Sequence, residues 1–320
     1  MPESESTGVE QSEKEQHGIA LAQEIVQLKK FAQSQEDYQA INQKYDELWA
    51  LFGATSTEAR LSAELSEAKE IFGEDFIGPT EVAHAFDVDP ESIEAVMPKI
   101  PFSREELERA KELGQMLILR QNFPMKELFE RLTSKFEAEG KGKVLYDTSW
   151  YKDEAFFTEN IEAGWALVSK ELVPESTSKN YLEQTQILVN YLKNEVFKDK
   201  TVPSEYVEAI AEFDREKAAI GVIVGSSDET EWKRAAEILS NLKITQLLRQ
   251  SPAESLYDLI LYFQTTGKRL LPDKYTWTSR RGSDGRFVSV GYFESDGVSV
   301  SGDGPGYSYG LLGVSFSRSR

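Results

Sequence analysis

Few residues in this chain are equipped for bond-making chemistry. Its 320 residues include no cysteine and only two histidines, His17 and His84. Disulfides, thiolate metal sites and cysteine nucleophiles are therefore excluded. A His-ligated metal or a Ser-His-Asp triad would have to draw on His17 or His84. His17 ends a polar N-terminal stretch, and His84 lies in GPTEVAHAFDV, a short helical segment. Both read as surface or packing histidines. Asp147, Asp153 and Glu154 in DTSWYKDE are the remaining acid–base candidates. A carboxylate hydrolase would need two of them converging with separated pKa values; a solvated strand–loop edge is the simpler reading. RRGSDGR and SGDGPGYSYG look superficially like phosphate loops. Neither matches G-x-x-x-x-G-K-[ST], and neither opens a helix. SGDGPG offers Asp303 and carbonyls, whereas a hard cation wants about six to eight oxygens. No cofactor and no metal are expected, and the chain reads as a binding protein rather than an enzyme.

Recognition chemistry is better supplied, and it sits at the C-terminal end. Phe287 to Gly310 reads FVSVGYFESDGVSVSGDGPGYSYG. Val288 and Val290 face one side of a strand; Phe287, Ser289 and Gly291 face the other. Asp296–Gly297 is a hairpin signal. Val298 and Val300 repeat the apolar side, and Ser299 and Ser301 the open side. GDGPGYSYG is a loop, after which Leu312, Val314 and Phe316 form an apolar face. The open side mixes Tyr, Ser, Gly, Asp and Arg, the composition of adaptable binding surfaces. Arg280, Arg281, Phe287, Tyr292, Asp296, Asp303, Tyr307 and Tyr309 are the candidate anchors, because Arg and Tyr dominate hot spots. Ser289, Ser299 and Ser301 would adapt the surface. An ordinary antiparallel sheet with turn-rich edges is the alternative. Trp150, Tyr151 and Trp165 read as packing residues, and Trp277 as framework beneath the hairpin.

The elements that must position this face are mostly helical. Residues 18–50 and 58–72 carry apolar residues at helical spacing, with a break near FGATST and Ser56 or Thr57 as N-cap. This pair is a candidate oligomerising element. PTEVAHAF and DPESIEAV form a small helical unit. SREELERAKELGQ opens on a capping box, Ser103 with Glu106, and its MLILR end passes into a strand. PMKELFERLTSKFEAEG is a further helix. GKVLYDTSWY and GWALVSKEL read as strands. Four helices follow. The first is capped by Ser176 or Ser178, and the last has Ser251 as N-cap, Pro252 at N1 and Gly267 beyond its end. The reading is an α+β chain: a disordered acidic tail at 1–17, a helical region at 18–137 and a sheet-bearing domain at 138–320. In that domain antiparallel strands are expected near 286–293, 297–301 and 311–317, packed on helices from 176–266.

Charge limits the partners. The formal net charge is −19, so the chain repels phosphate backbones and nucleic acid is not an expected partner. From Tyr275 onward five Arg face four Asp or Glu, a net of +1, so the acidity lies upstream. No apolar run approaches the ~18–20 residues that span a bilayer. The polar MPESESTGVEQSEKEQ has no signal-peptide pattern. Cytoplasm is the default location, with a phage particle or a cell surface left open.

SPAESLYDLILYFQTTGKRLL, then YTWTSRR, then alternation ending in GVSFSR resembles the end of a C-type-lectin fold of the formylglycine-generating-enzyme type. Such domains end with a helix, a Trp-Ser or Trp-Thr strand and a final Gly-Val-x-x-x-Arg-like strand. More narrowly, the stretch resembles the variable proteins of diversity-generating retroelements of bacteria and phages. In that family adenines in target codons are rewritten to give NNY codons, which cannot encode Lys, Glu, Gln, Met or Trp. Between Thr278 and Leu312 the only residue outside the NNY set is Glu294. The resemblance is loose over 140–320 and more specific over 275–320, with a diversified segment at about 277–312. It implies a C-type-lectin-like domain displaying a diversified surface to an unknown protein or surface ligand. Formylglycine-generating enzymes use cysteines that this chain lacks, so the fold is implied and that activity is not.

Overall fold

The computed structural model describes residues 4–31, 35–51, 57–94 and 97–319. Helices α1 (Ser4–Phe31), α2 (Gln35–Leu51) and α3 (Thr57–Phe72) open the chain. Strand β1 (Phe76–Ile77) leads to α4 (Pro79–Phe86), α5 (Pro90–Glu94) and α6 (Arg104–Glu112). Strand β2 (Gln115–Arg120), helix α7 (Met125–Ala138), the single turn α8 (Ala155–Thr158) and β3 (Gly164–Ser169) follow. Five helices come next: α9 (Tyr181–Tyr191), α10 (Ser204–Ile223), α11 (Glu229–Asn241), α12 (Lys243–Leu248) and α13 (Pro252–Thr266). The chain then turns to strands β4 (Tyr275–Arg281), β5 (Phe287–Glu294), β6 (Gly297–Asp303), β7 (Leu312–Gly313) and β8 (Ser317–Ser319). The fold is mixed α and β, with small mixed sheets.

Local chemistry accounts for the clearest helix boundaries. Ser103 Oγ accepts from Glu106 N at 3.3 Å while Glu106 accepts from Ser103 N at 3.0 Å. Ser251 and Glu254 repeat this box at α13, with Pro252 in the first turn and Gly267 at φ 73° after the last. Helix α9 departs from expectation: its cap is Asn180, boxed with Glu183, and not Ser176 or Ser178. Those serines brace the C-terminal segment instead. Ser176 Oγ accepts from Val314 N, and Ser178 N donates to Tyr309 O.

Other expectations need correcting at this level. Residues 4–17, expected as a disordered tail, lie in α1; the stretch is free of proline and rich in Glu, Gln and Lys, which favour helix. The span 18–50, read as one helix, is two, α1 and α2, which pack on each other through Leu21, Ile25 and Ile41. The proposed cap Ser56 lies outside the described residues; Thr57 is the first residue of α3. GKVLYDTSWY is not a strand. Only Leu145 makes a bridge, to Val298, and the chain then turns where Asp147 accepts from Ser149 N, as Asp commonly does in turns.

Two four-stranded sheets form, in the orders β1-β2-β3-β8 and β6-β5-β4-β7. The segment expected as one antiparallel strand over 311–317 is divided between them. β7 pairs with β4 in parallel, and β8 pairs with β3 antiparallel. Between them Val314 and Phe316 are fully buried, and Phe316 O accepts from Ser169 N.

The second sheet lies between two cores. Val288, Val290, Phe293, Val298 and Val300 join a core built with β1–β3, α4, α7 and α13. Trp277, Phe287, Leu312, Val314 and Phe316 join another, built with α9–α12. The first draws on residues from Ala68 to Phe136 and from Val144 to Val300, so the division expected at 137/138 does not coincide with a break in packing. A buried cluster ties the first sheet to α13. Arg120 donates to Asp258 at 2.6 and 3.1 Å, to Glu254 at 2.6 Å and to Ser317 at 3.2 Å. Burial pushes the Asp258 carboxyl up, against the pull of Arg120.

Candidate functional site

The site is built in rows across β4, β5 and β6. Tyr275, Gly291 and Ser299 stand opposite one another; Trp277, Ser289 and Ser301 form the next row; Phe287 and Asp303 the one beyond. Period-two alternation sends all of these side chains to one face. The α9–α12 layer then covers the inner part of that face. The Tyr181 ring stacks on Phe287 at 3.6 Å, with the Arg249 guanidinium 3.8 Å from the same ring centroid. Phe287 and Ser289 are consequently buried, at 0% and 1% exposure. Their assignment to a binding surface is overturned: the face they share is open only towards the β6 edge.

What stays open is a tyrosine cluster. Tyr275 stacks with Tyr292 at 5.6 Å between centroids, and Tyr307 meets Tyr309 at 5.5 Å with the rings tilted by 43°. Tyr292 is 36% and Tyr307 46% exposed. Ser299, Ser301, Asp303 and Tyr309 are half-buried. Gly291 makes room for this arrangement. A Cβ there would stand 2.2 Å from Lys274 O, so the position admits no side chain beside Tyr275. The next residue, Tyr292, sits at φ 46° in a bulge, held by its N–H to Lys274 O at 2.6 Å. A left-handed non-glycine residue costs of order 1–3 kcal/mol and persists where its surroundings enforce it.

The loop over 304–310 is pinned at several points. Tyr181 N donates to Pro305 O at 3.0 Å and Ser178 N to Tyr309 O at 3.0 Å. A Cβ on Gly306 would meet Val224 O at 2.5 Å, so the loop lies against the end of α10. The tyrosines are thus carried by an anchored backbone.

Electrostatics follow from half-burial. Burial pushes the Tyr309 phenol up to about 12, helped by Tyr275, Asp303, Tyr307 and Tyr292 in that order. Tyr275 is also raised by burial, with a hydrogen bond to Ser299 opposing. Burial raises the Asp303 carboxyl too, while Arg286 opposes. Among the described residues, no donor lies within hydrogen-bonding distance of that carboxylate. Each phenol hydroxyl can both donate and accept a hydrogen bond.

The other expected residues lie elsewhere. Arg280 is held by Glu159 at 2.6–2.9 Å and by Gln246, and Arg281 donates to Ser240 Oγ at 3.0 Å. Both sit at the far end of β4 from Tyr275, beyond a bulge, where Arg281 stands opposite Phe287 and so in the same row as Asp303. They are bracing residues and not part of the cluster. Asp296 is exposed at the β5–β6 turn. Tyr275 was missed; lying two residues before Trp277, it shares that residue's face by period two. Trp150, read as packing, is 43% exposed but donates Nε1 to Val300 O along the β6 edge. Asp147 is held below the ordinary carboxylate range by its bonds to Ser149, and Glu154 accepts from Ser283 N and Oγ. The cluster offers contact area, hydrogen bonding and one carboxylate. No family model, no curated protein and no solved structure matches this chain.

Proposed function

We propose that this is a non-catalytic binding protein that meets a macromolecular ligand through Tyr275, Tyr292, Ser299, Ser301, Asp303, Tyr307 and Tyr309. We further propose that the face is the diversified surface of a retroelement variable protein on a C-type-lectin-like domain. One observation carries the binding reading. Among the described residues, the exposed large aromatics are Tyr146, Trp150, Tyr292 and Tyr307, and all lie on or beside the β5–β6 hairpin and its following loop. Exposed apolar groups that gather in one place mark interaction sites. Their backbone is fixed while the side chains are largely Ser, Gly, Asp and Tyr, which suits a surface that changes without refolding. The absence of Lys, Gln, Met and Trp from Thr278 to Leu312 supports the retroelement reading.

Two measurements test it. Tyr292→Ala combined with Tyr307→Ala should lose a ligand captured from surface extracts by the wild type while melting like it; retained capture moves the site elsewhere. DNA around the gene should hold a near-repeat of the codons for 277–312, with adenines at the differing sites, beside a reverse-transcriptase gene. A flanking region without such a repeat removes the retroelement assignment.

A further inference from the structure

A cavity that shares no residue with the tyrosine face opens between α9, the turn from α6 to β2 and the segment after β3. Its volume is about 490 Å³, and small-molecule sites span roughly 300–1,000 Å³. Leu113, Leu172, Val173, Ile187 and Tyr191 give it apolar walls. Two local features shape it. Helix α9 widens into a π turn over Leu192–Val196, closed by Phe197 N donating to Leu192 O at 2.9 Å. Such turns are rare and recur at functional sites; here Asn190, Asn194 and Glu195 line the cavity on or beside it. The segment after β3 is pinned to the C-terminal segment by Val173 N donating to Val314 O at 2.8 Å. It carries Glu175 at φ 64°, a left-handed conformation that the surroundings must enforce.

The charge of the lining is one-sided. Among the described residues that line the cavity, Glu171, Glu175 and Glu195 are acidic and none is Lys or Arg. Glu195 is engaged by Arg109 at 3.1 Å. Glu171 and Glu175 have no ion pair among the described residues. At the floor, Ser169 stands opposite Gln115 across β2 and β3. Burial pushes the Tyr191 phenol up, and the nearby Gln115 and Ser169 side chains oppose it. Yet Gln115 Nε2 and Ser169 Oγ are buried and complete no hydrogen bond. We propose that this cavity binds a small organic amine, an ammonium group on an apolar body. Glu171 and Glu175 hold the ammonium at the rim, with Asn190 and Asn194 as further acceptors. Leu172, Val173, Ile187 and Tyr191 receive the apolar body. The site does not depend on the binding reading above.

The test uses the full chain with methyl-labelled isoleucine, followed by NMR, the Ile187 signal being assigned through Ile187→Val. The probes are 2-phenylethylamine and n-hexylamine, with 2-phenylethanol and 1-hexanol as uncharged matches. At pH 7 and constant ionic strength both amines should move the Ile187 signal saturably, and the alcohols should not saturate over the same range. Glu171→Gln combined with Glu175→Gln should weaken the amines roughly tenfold, the loss of two partly exposed ion pairs. Asn194 is exposed. Asn194→Lys brings a competing ammonium to the cavity and should abolish the shift while melting like the wild type; it decides the matter should the double variant melt early. An Ile187 signal unmoved by the amines, equal shifts from the alcohols, or full amine affinity in folded Asn194→Lys or in the folded double variant overturns the proposal.

Discussion

At the scale of single residues, Asp303 carries a cost that pH reveals. Its carboxyl lies above the ordinary 3.8 because burial disfavours the charge. A carboxyl raised in the folded state weakens folding as pH climbs from the unfolded value through the folded one. Below that window it is protonated in both states and contributes nothing; at pH 7 the whole penalty is present. Asp303→Asn should therefore melt at or above the wild type at pH 7, and the gap should close near pH 3. A variant melting lower at pH 7 would contradict this. Burial sets a second contrast. Phe316 is fully buried and Tyr307 is 46% exposed. Phe316→Ala should cost about 3–5 kcal/mol and Tyr307→Ala about 0.5 kcal/mol or less, read from denaturant melts. Val288, Val290, Val298, Val314 and Phe316 are legible as core from period two alone, and all five are buried. Ser289 is not legible. Its small polar side chain fits an open face and a covered one equally well. Only Trp277 beside it and Tyr181 above Phe287 decide the matter.

At the scale of elements, β2, β8 and α13 are joined through one buried cation. Arg120→Met would leave Asp258 charged in the core without its partner, a loss of about 3–5 kcal/mol. Adding Asp258→Leu should recover much of it, because a pair replaced by apolar groups is often neutral. Urea melts of the single and double variants check this; a double variant no more stable than Arg120→Met would sink it. Caps and turns set how much of these elements the sequence reveals. The boxes at Ser103 and Ser251 are readable because an acceptor, a Glu three residues on and an apolar run coincide. At α9 three candidate caps stand within five residues, Ser176, Ser178 and Asn180. Ser178 adopts φ 59° and Ser176 serves Val314, leaving Asn180 to cap. Those duties are set by the C-terminal segment, more than 130 residues away, and no local pattern can report them. The single Leu145–Val298 bridge is hidden for the same reason.

At the scale of the whole molecule, both core clusters begin at or after Ala68 among the described residues. A chain lacking residues 1–56 should keep a cooperative melt close to that of the full chain. If the same shortened chain also falls to fewer copies per particle by light scattering, the first two helices hold copies together; an unchanged copy number removes that role. Loss of cooperative folding would show that α1 and α2 belong to the body after all. The helical beginning and the sheet-forming end are legible from composition and periodicity. That helices cover the second face of the second sheet is not, because period two describes one strand and says nothing of what lies above it.

The division of the last segment between two sheets also orders events during synthesis. Strand β8 is translated after every other described element, yet it pairs with β3, whose residues left the ribosome some 150 positions earlier. β7 closes the other sheet only shortly before. Neither sheet can be completed on a partly made chain, so the hydrophobic strands wait exposed, the state in which chaperones are most needed. A stop codon or frameshift anywhere in the segment over 277–312 removes both closing strands at once. Such a chain also lacks Val314 and Phe316 from the core built with α9–α12, so only reading frames translated through β8 complete both sheets.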